Sequence, residues 1–327
     1  MVLEGFLQHV PGWREETTVT VKISVVVPVF NGAGTLGACL EALHRQNLPS
    51  DQFEVIVVDD GSEDGSASIA RMFDVCLVVN NHAGESAARN AGIWESKGKW
   101  VTFTDADCVP TRKWLDYLLR RVEQEELNGP VLGAAGQIIG FQSNSPAARY
   151  TDLTGGLNTQ DHLNHPVFPY APHGNTMYAR DSLWAVGGID ERFSFYPGPD
   201  LHHRLTCRFD HPFFFVPHAV VLHQHRSSWR TYWCQQYGYG LGYAQFLHLY
   251  REQIPWGLSR ELHAWVKLVS YALQACVPVK GDWGLIRRGR FIQHLAQRLG
   301  FDRTYWNKEE KRKWNSSSAL SAENNKS

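Results

Sequence analysis

Hydrophobic and polar positions follow two rhythms through the first hundred residues. Residues 23–28, 53–58, 75–79 and 100–104 are short runs rich in valine, isoleucine and aromatics, which predict buried strands. Between the first two, Leu36, Cys39, Leu40 and Leu43 recur at helical spacing and predict a helix over 36–46. Further helices are predicted over 65–72 and 85–95. Such alternation predicts an α/β domain of nucleotide-binding type, its mainly parallel sheet covered by helices on both faces.

After Asp107 the rhythm loosens. A helix over 112–126 and a strand over 131–139 are predicted, and 142–163 reads as irregular and polar. A strand over 176–179 follows Pro172-His173-Gly174-Asn175. Asp181 then opens a short helix as its N-cap, and Gly187 and Gly188 close it. Residues 200–208 predict a helix, and 213–223 a strand broken at Pro217. Two helices are predicted further on. Leu262, Trp265, Val266, Val269 and Leu273 share one face of the first. Leu285, Phe291, Ile292, Leu295 and Leu299 share a face of the second, opposite Arg287, Arg288, Arg290 and Arg298. Residues 307–327 are charged and then Ser/Asn-rich, a composition that predicts disorder. The chain thus divides into an extension (1–21), a main domain (22–250, with halves 22–110 and 111–250), C-terminal helices (251–306) and a tail.

Composition narrows the function classes. The 327 residues are 43% hydrophobic and 20% charged, ordinary for a globular protein with ample core. A net charge of −1 makes no case for nucleic-acid binding. No run approaches the roughly 20 apolar residues of a bilayer span. Residues 1–13, with Glu4 and His9, have neither the basic start nor the apolar core of a secretory signal. The six scattered cysteines read as reduced cytosolic thiols, so a cytoplasmic chain is expected.

The candidate chemistry lies at the end of the fourth predicted strand, Trp100-Val101-Thr102-Phe103-Thr104-Asp105-Ala106-Asp107. Two carboxylates one residue apart, at the carboxyl end of a strand in an open α/β sheet, stand where ligands bind. They repel unless a cation or donors lie between them, and oxygen ligands suit Mg²⁺ or Mn²⁺ with substrate phosphates. Gly32-Ala33-Gly34-Thr35-Leu36-Gly37 has the letters of a dinucleotide fingerprint. It starts four residues after Pro28, however, and Pro28 and Phe30 stand where glycine backbone should approach a pyrophosphate.

Four segments together resemble family-2 glycosyltransferases: Val25-Val26-Val27-Pro28-Val29-Phe30-Asn31, Val57-Val58-Asp59-Asp60-Gly61-Ser62, Ala87-Ala88-Arg89-Asn90-Ala91-Gly92 and Phe103-Thr104-Asp105-Ala106-Asp107. The resemblance implies a GT-A fold and an inverting, metal-assisted transfer from a nucleotide-sugar donor. It places Pro28 and Phe30 beside the nucleobase and Asp60 on the base edge, which favours uridine. Asp59 supports the loop or ribose, Arg89 reaches the diphosphate, Asp105 touches the ribose or backs the metal, and Asp107 binds the metal. Bland roles compete: Asp60 as a turn residue, Arg89 as a structural cation. Further on, Gly187-Gly188-Ile189-Asp190-Glu191-Arg192-Phe193 and Asp200-Leu201-His202-His203-Arg204-Leu205 resemble the stretch carrying the catalytic base. There Pro199-Asp200 replaces the usual Glu-Asp. Asp200 is then the general base, a helix cap, or both. In His223-Gln224-His225-Arg226 the resemblance makes His223 a ligand of the metal or diphosphate.

The adjacent His202 and His203 diverge by about 100° on a helix and cannot both grip one ion. The aromatics between Trp229 and Tyr250, including Tyr232, Tyr239 and Tyr243, fit either core packing or a sugar platform. The basic amphipathic segment 285–299 either packs on the domain or lies in a membrane interface, which would suit a lipid-linked rather than a saccharide acceptor. Outside the enzyme reading stands a catalytically silent, nucleotide-binding scaffold, for which the missing Glu before Asp200 speaks. A nucleotidyltransferase would need a basic residue in the loop after the first strand, and 30–40 contains none.

Overall fold

The computed structural model describes residues 21–141, 144–165, 168–254, 257–310 and 314. The expected extension up to residue 20 and the tail from 315 onward lie outside the described residues. Four parallel strands form the first half of the sheet: β1 (Ile23–Val29), β2 (Phe53–Asp59), β3 (Cys76–Val79) and β4 (Trp100–Phe103). β5 (Cys108–Pro110), β6 (Gly133–Phe141), β7 (Thr176–Ala179) and β8 (Phe213–Gln224) complete it in the order β3-β2-β1-β4-β7-β6-β8-β5. β7 runs antiparallel to β4 and β6, and β5 antiparallel to β8. The sheet is therefore mixed, with its parallel part confined to the first half and the β6–β8 pair.

Alternation along β1 explains the layering. Val25 and Val27 join a core with Leu36, Leu40 and Leu43 of α1 (Ala33–His44) and Leu118 of α4 (Trp114–Glu126). Val26, pointing the other way, packs with Ile56, Ala88 and Ile93 under α3 (Glu85–Glu95). Gly92 sets the α3–β1 approach, since a Cβ there would lie 2.3 Å from Val26 Cγ1. A short α2 (Ser66–Ala70) completes this half. In β8, Pro217 sits within a bulge: Val216 faces Gly136 and Val220 faces the next residue, Gln137. Asn175 closes the bulge, donating from Nδ2 to Ala219 O (2.8 Å) and Gln137 O (3.0 Å) while accepting from Trp114 Nε1 (2.7 Å).

The second half departs from expectation in several places. Within the segment read as irregular stand α5 (Pro146–Leu153) and α6 (Thr159–Leu163), capped by the Ser145 and Asn158 side chains. Asp181 lies in the first turn of α7 (Arg180–Ala185), whose cap position is Ala179. α8 (Pro197–Arg208) starts three residues early, so Asp200 is inside its first turn and Tyr196 holds the cap position. Part of the expected tail is packed, with Trp314 buried between Phe193 and the Arg192 guanidinium.

α9 (Trp229–Leu249), α10 (Leu258–Cys276) and α11 (Gly281–Tyr305) form a helical layer. Gly240 and Gly300 let α9 and α11 approach backbone to backbone. Leu285 and Ile292 pack against Tyr150 and Tyr232, Gly289 lies on the Tyr150 ring, and buried Arg298 ion-pairs with Glu261 and Asp302. Leu285 and Ile292 of the 285–299 face are thus packed against the protein, while Leu299 is 44% exposed. The outward apolar face belongs to α10, where only Leu268 is buried. Among the described residues, no helix is long and apolar enough to cross a membrane.

Candidate active site

β4 ends at Phe103, and the chain passes through Asp105 and Asp107 into β5, whose Cys108 lies opposite His223 of β8. That register brings residues 116 positions apart together: His223 Nε2 is 3.5 Å from Asp107 Oδ1. Behind it, His223 Nδ1 is 3.0 Å from His225 Nδ1, and His225 Nε2 is 3.6 Å from Asp152 Oδ1 of α5. Burial, then His223, pushes the His225 imidazole down to about 4, so that ring is neutral near pH 7. Two facing Nδ1 atoms need one proton between them. If His223 Nε2 is to offer a lone pair beside Asp107, His223 donates from Nδ1, and the His225 proton sits on Nε2, toward Asp152. The chain Asp152–His225–His223 thereby selects the tautomer that suits a metal ligand.

The donor set fits a hard divalent cation. Asp107, Cys108 and His223 present ligand atoms within 4.8 Å of one another. The Cys108 thiol, however, is driven well above its ordinary range by burial, with Asp105 and Asp107 adding to the effect. Sulfur is a soft donor, so the part of the set that suits a hard ion is one carboxylate and one imidazole, with Arg226 Nη1 at 3.9 Å from Asp107 Oδ2. An oxygen–nitrogen pair of this kind suits Mn²⁺ or Mg²⁺ completed by phosphate oxygens and water.

Asp105 is held differently. Arg89 Nη2 lies 2.6 Å from Asp105 Oδ1 and 2.7 Å from Glu85 Oε1. Burial opposes the Arg89 charge, but Glu85 and Asp105 outweigh it and hold the guanidinium above its ordinary value. At 2% exposure Arg89 orients Asp105, the structural role that the sequence left open beside diphosphate binding. A second cation at the acidic end is Arg226, half-exposed beside Asp107, which sequence reasoning left without a role. Gly174, in the 3₁₀ turn His173–Asn175, lies against Asp105, where a Cβ would be 3.0 Å from Oδ2.

The nucleobase residues separate in the same way. Phe30 is 48% exposed and lies against the His82 ring, centroids 4.2 Å apart. Pro28 is buried inside β1 opposite Val58. Asp60, 3% exposed, accepts from Ala83 N and Gly84 N at 2.8 Å each, fastening the loop that enters α3. Asp59 Oδ1 accepts from Ser62 N, and Ser62, Asp64 and Ser66 bind the backbone amides of Asn31, Ala33 and Gly32. These bonds lace the β1–α1 and β2–α2 loops into one rim.

Asp200 does not present a free carboxylate. It is 1% exposed; Oδ2 accepts from Arg204 Nε at 2.9 Å, with Nη2 at 2.8 Å, and Oδ1 accepts from Tyr250 OH at 2.8 Å. A base must reach the acceptor hydroxyl. Without substrate, this carboxylate joins α8 to the end of α9. The first-turn residues Pro197, Gly198 and Pro199 carry no replacement. Of the aromatics, Tyr232 joins the core with Tyr150, and Tyr243 packs on Phe301. Tyr239 packs on Tyr196, and its phenol is raised by burial, with Glu85, Asp105 and Asp107 adding and Arg226 opposing.

With this geometry in place, comparison with known proteins identifies the family. Residues 24–187, half of the chain, match the model for glycosyl transferase family 2, and the chain belongs to that family. It is 27% identical over 280 residues to the probable glycosyltransferase YdaM of Bacillus subtilis, covering 77% of this chain and 64% of the relative. Glycosyltransferase AglE of Haloferax volcanii is 41% identical over 100 residues, 29% of this chain and 33% of that one. The chain therefore spans between a third and just under two-thirds of the length of these relatives. Among solved structures, the mannosyltransferase PcManGT from Pyrobaculum calidifontis, in complex with GDP-Man and Mn²⁺, superposes with a TM-score of 0.62. It is 18% identical, over 92% of each chain. TarS 1–349 of S. aureus in complex with UDP-GlcNAc gives 0.51 at 16% identity, over 86% of this chain and 91% of that one. The fold is GT-A.

Proposed function

We propose that this chain moves a sugar from a nucleotide-diphosphate donor to an acceptor hydroxyl, with Mn²⁺ or Mg²⁺ held by Asp107 and His223. The observation that carries the reading is the 3.5 Å approach of His223 Nε2 to Asp107 Oδ1 at the carboxyl edge of the sheet. When bound, the ion neutralises charge on the departing diphosphate. The protein's own share is distributed. Phe30 and His82 offer stacking surface to the base, Arg226 faces the phosphates, Arg89 holds Asp105 in register, and Asp152–His225 orients His223. The folds in complex with GDP-Man and with UDP-GlcNAc support a sugar nucleotide as donor class. The Phe30–His82 surface can stack either base, so UDP- and GDP-sugars are both donors to test, UDP-sugars first on the family resemblance.

An inverting transfer needs a proton acceptor beside the incoming hydroxyl, and Asp200 is engaged elsewhere. That observation favours a second reading, a silent relative that binds sugar nucleotide without turning it over. Nucleotide release from a panel of UDP- and GDP-sugars in Mn²⁺, with saccharide and lipid-linked acceptors, separates the two. Turnover stimulated by one acceptor class supports the enzyme. Tight donor binding without release of nucleotide under any acceptor supports the silent relative.

A further inference from the structure

α10 presents to solvent the residues a globular helix normally buries. Leu258, Leu262, Val266, Val269, Leu273 and Val277 run in one stripe, each between 50% and 85% exposed. The stripe follows the helix for about 28 Å. Trp265 flanks it, and Trp283, 69% exposed, stands at the hairpin into α11. A continuous apolar strip of this size marks an interaction surface.

Charge identifies the partner. Between residues 258 and 305 there are eight Lys and Arg against three Asp and Glu, a net +5, while the whole chain is −1, so the remainder carries −6. All three acids are engaged: Glu261 and Asp302 with Arg298, and Asp282 with Arg149. Exposed Arg260 and Lys267 on α10, Lys280 at the hairpin, and Arg288 and Arg290 on α11 are left. A second copy across a two-fold axis would bring two such cationic sets together, which opposes self-association. An anionic bilayer satisfies both features: the strip enters the acyl boundary, the cations meet lipid phosphates, and tryptophan rings favour that interface.

We propose that the outer face of α10 docks this chain in-plane on anionic membranes. The inference is independent of the sugar-transfer reading, because it rests on a surface away from Asp107 and His223. The test is co-sedimentation of the full chain with vesicles of phosphatidylcholine alone or with roughly 30% phosphatidylglycerol. Wild type is compared with Leu262→Asp/Val269→Asp, exposed positions whose folding is checked by thermal melting and nucleotide binding. The expected result is at least about tenfold stronger binding to the anionic vesicles, weakened between about 0.1 M and 0.5 M salt and lost in the variant. Equal binding to both vesicles, or unchanged binding of the variant, overturns the proposal. So does a wild-type dimer in ultracentrifugation that the variant makes monomeric, which assigns the strip to a second copy.

Discussion

Replacing Asp200 by Asn distinguishes a fastening residue from a catalytic base. The substitution keeps the shape but removes the charge that balances Arg204, and sets an amide donor against the Tyr250 hydroxyl or the Arg204 guanidinium. Breaking a fully buried ion pair from one side costs about 3–5 kcal/mol. Arg204 is about a quarter exposed, so solvent screening reduces the expected loss to roughly 1–3 kcal/mol. Arg204 keeps its bond to Val186 O, and Tyr250, its phenol raised by burial and by Asp200, stays neutral in either case. Urea unfolding measures the stability change, and initial rates of nucleotide release at low temperature measure turnover of the folded fraction. A fastening role predicts a clear loss of stability with turnover within about tenfold of wild type. Wild-type stability with turnover down a hundredfold or more, the usual loss for a missing base, would refute the reasoning.

Other perturbations probe the rest of the site. Phe30→Ala should raise the nucleotide Kd roughly 5- to 150-fold, the equivalent of about 1–3 kcal/mol of stacking, by fluorescence or calorimetric titration. Unchanged affinity would move the base elsewhere. His225→Ala should weaken Mn²⁺ binding by about 10–100-fold in titrations read by electron paramagnetic resonance, while leaving nucleotide affinity in EDTA unaltered. Burial, with His203 beside it, lowers the His202 imidazole to about 4. Between the ordinary value near 6.5 and that point, the unfolded chain binds a proton the native chain does not. Stability should therefore fall as pH drops through this window, by up to about 3 kcal/mol from this group. His202→Gln should flatten that part of the urea-unfolding profile; an unchanged slope would remove His202 from the account.

Much of the fold is legible as rhythm. β1 to β4 and α3 lie within a residue or two of the pattern, because β1, β2 and β4 are largely buried on both faces, edge strand β3 keeps a short apolar run, and α3 repeats at 3.6. Asp107 and His223 were legible as residues, but their meeting depends on the antiparallel β5–β8 register, which a three-residue strand does not announce. The commitments of Arg89 and Asp200 were half visible. Each has an oppositely charged neighbour four positions away, Glu85 and Arg204, a spacing that signals pairing on a helix. The tertiary partners Asp105 and Tyr250 left no such sign. Periodicity found the apolar face of α10 but not its direction, since an amphipathic helix has the same pattern whether its stripe meets a core or a lipid surface. His82 sits in a loop at positive φ, where no period operates.

The central claim is a metal-dependent nucleotide site built on Asp107 and His223. Calorimetric titration of the chain with UDP and with GDP, each in Mn²⁺ and again in EDTA, for wild type and Asp107→Ala, tests it most directly. The account predicts that one nucleotide binds in Mn²⁺, and that EDTA or the substitution abolishes most of that affinity. Binding that is indifferent to EDTA and to Asp107, or absent for both nucleotides, would contradict it.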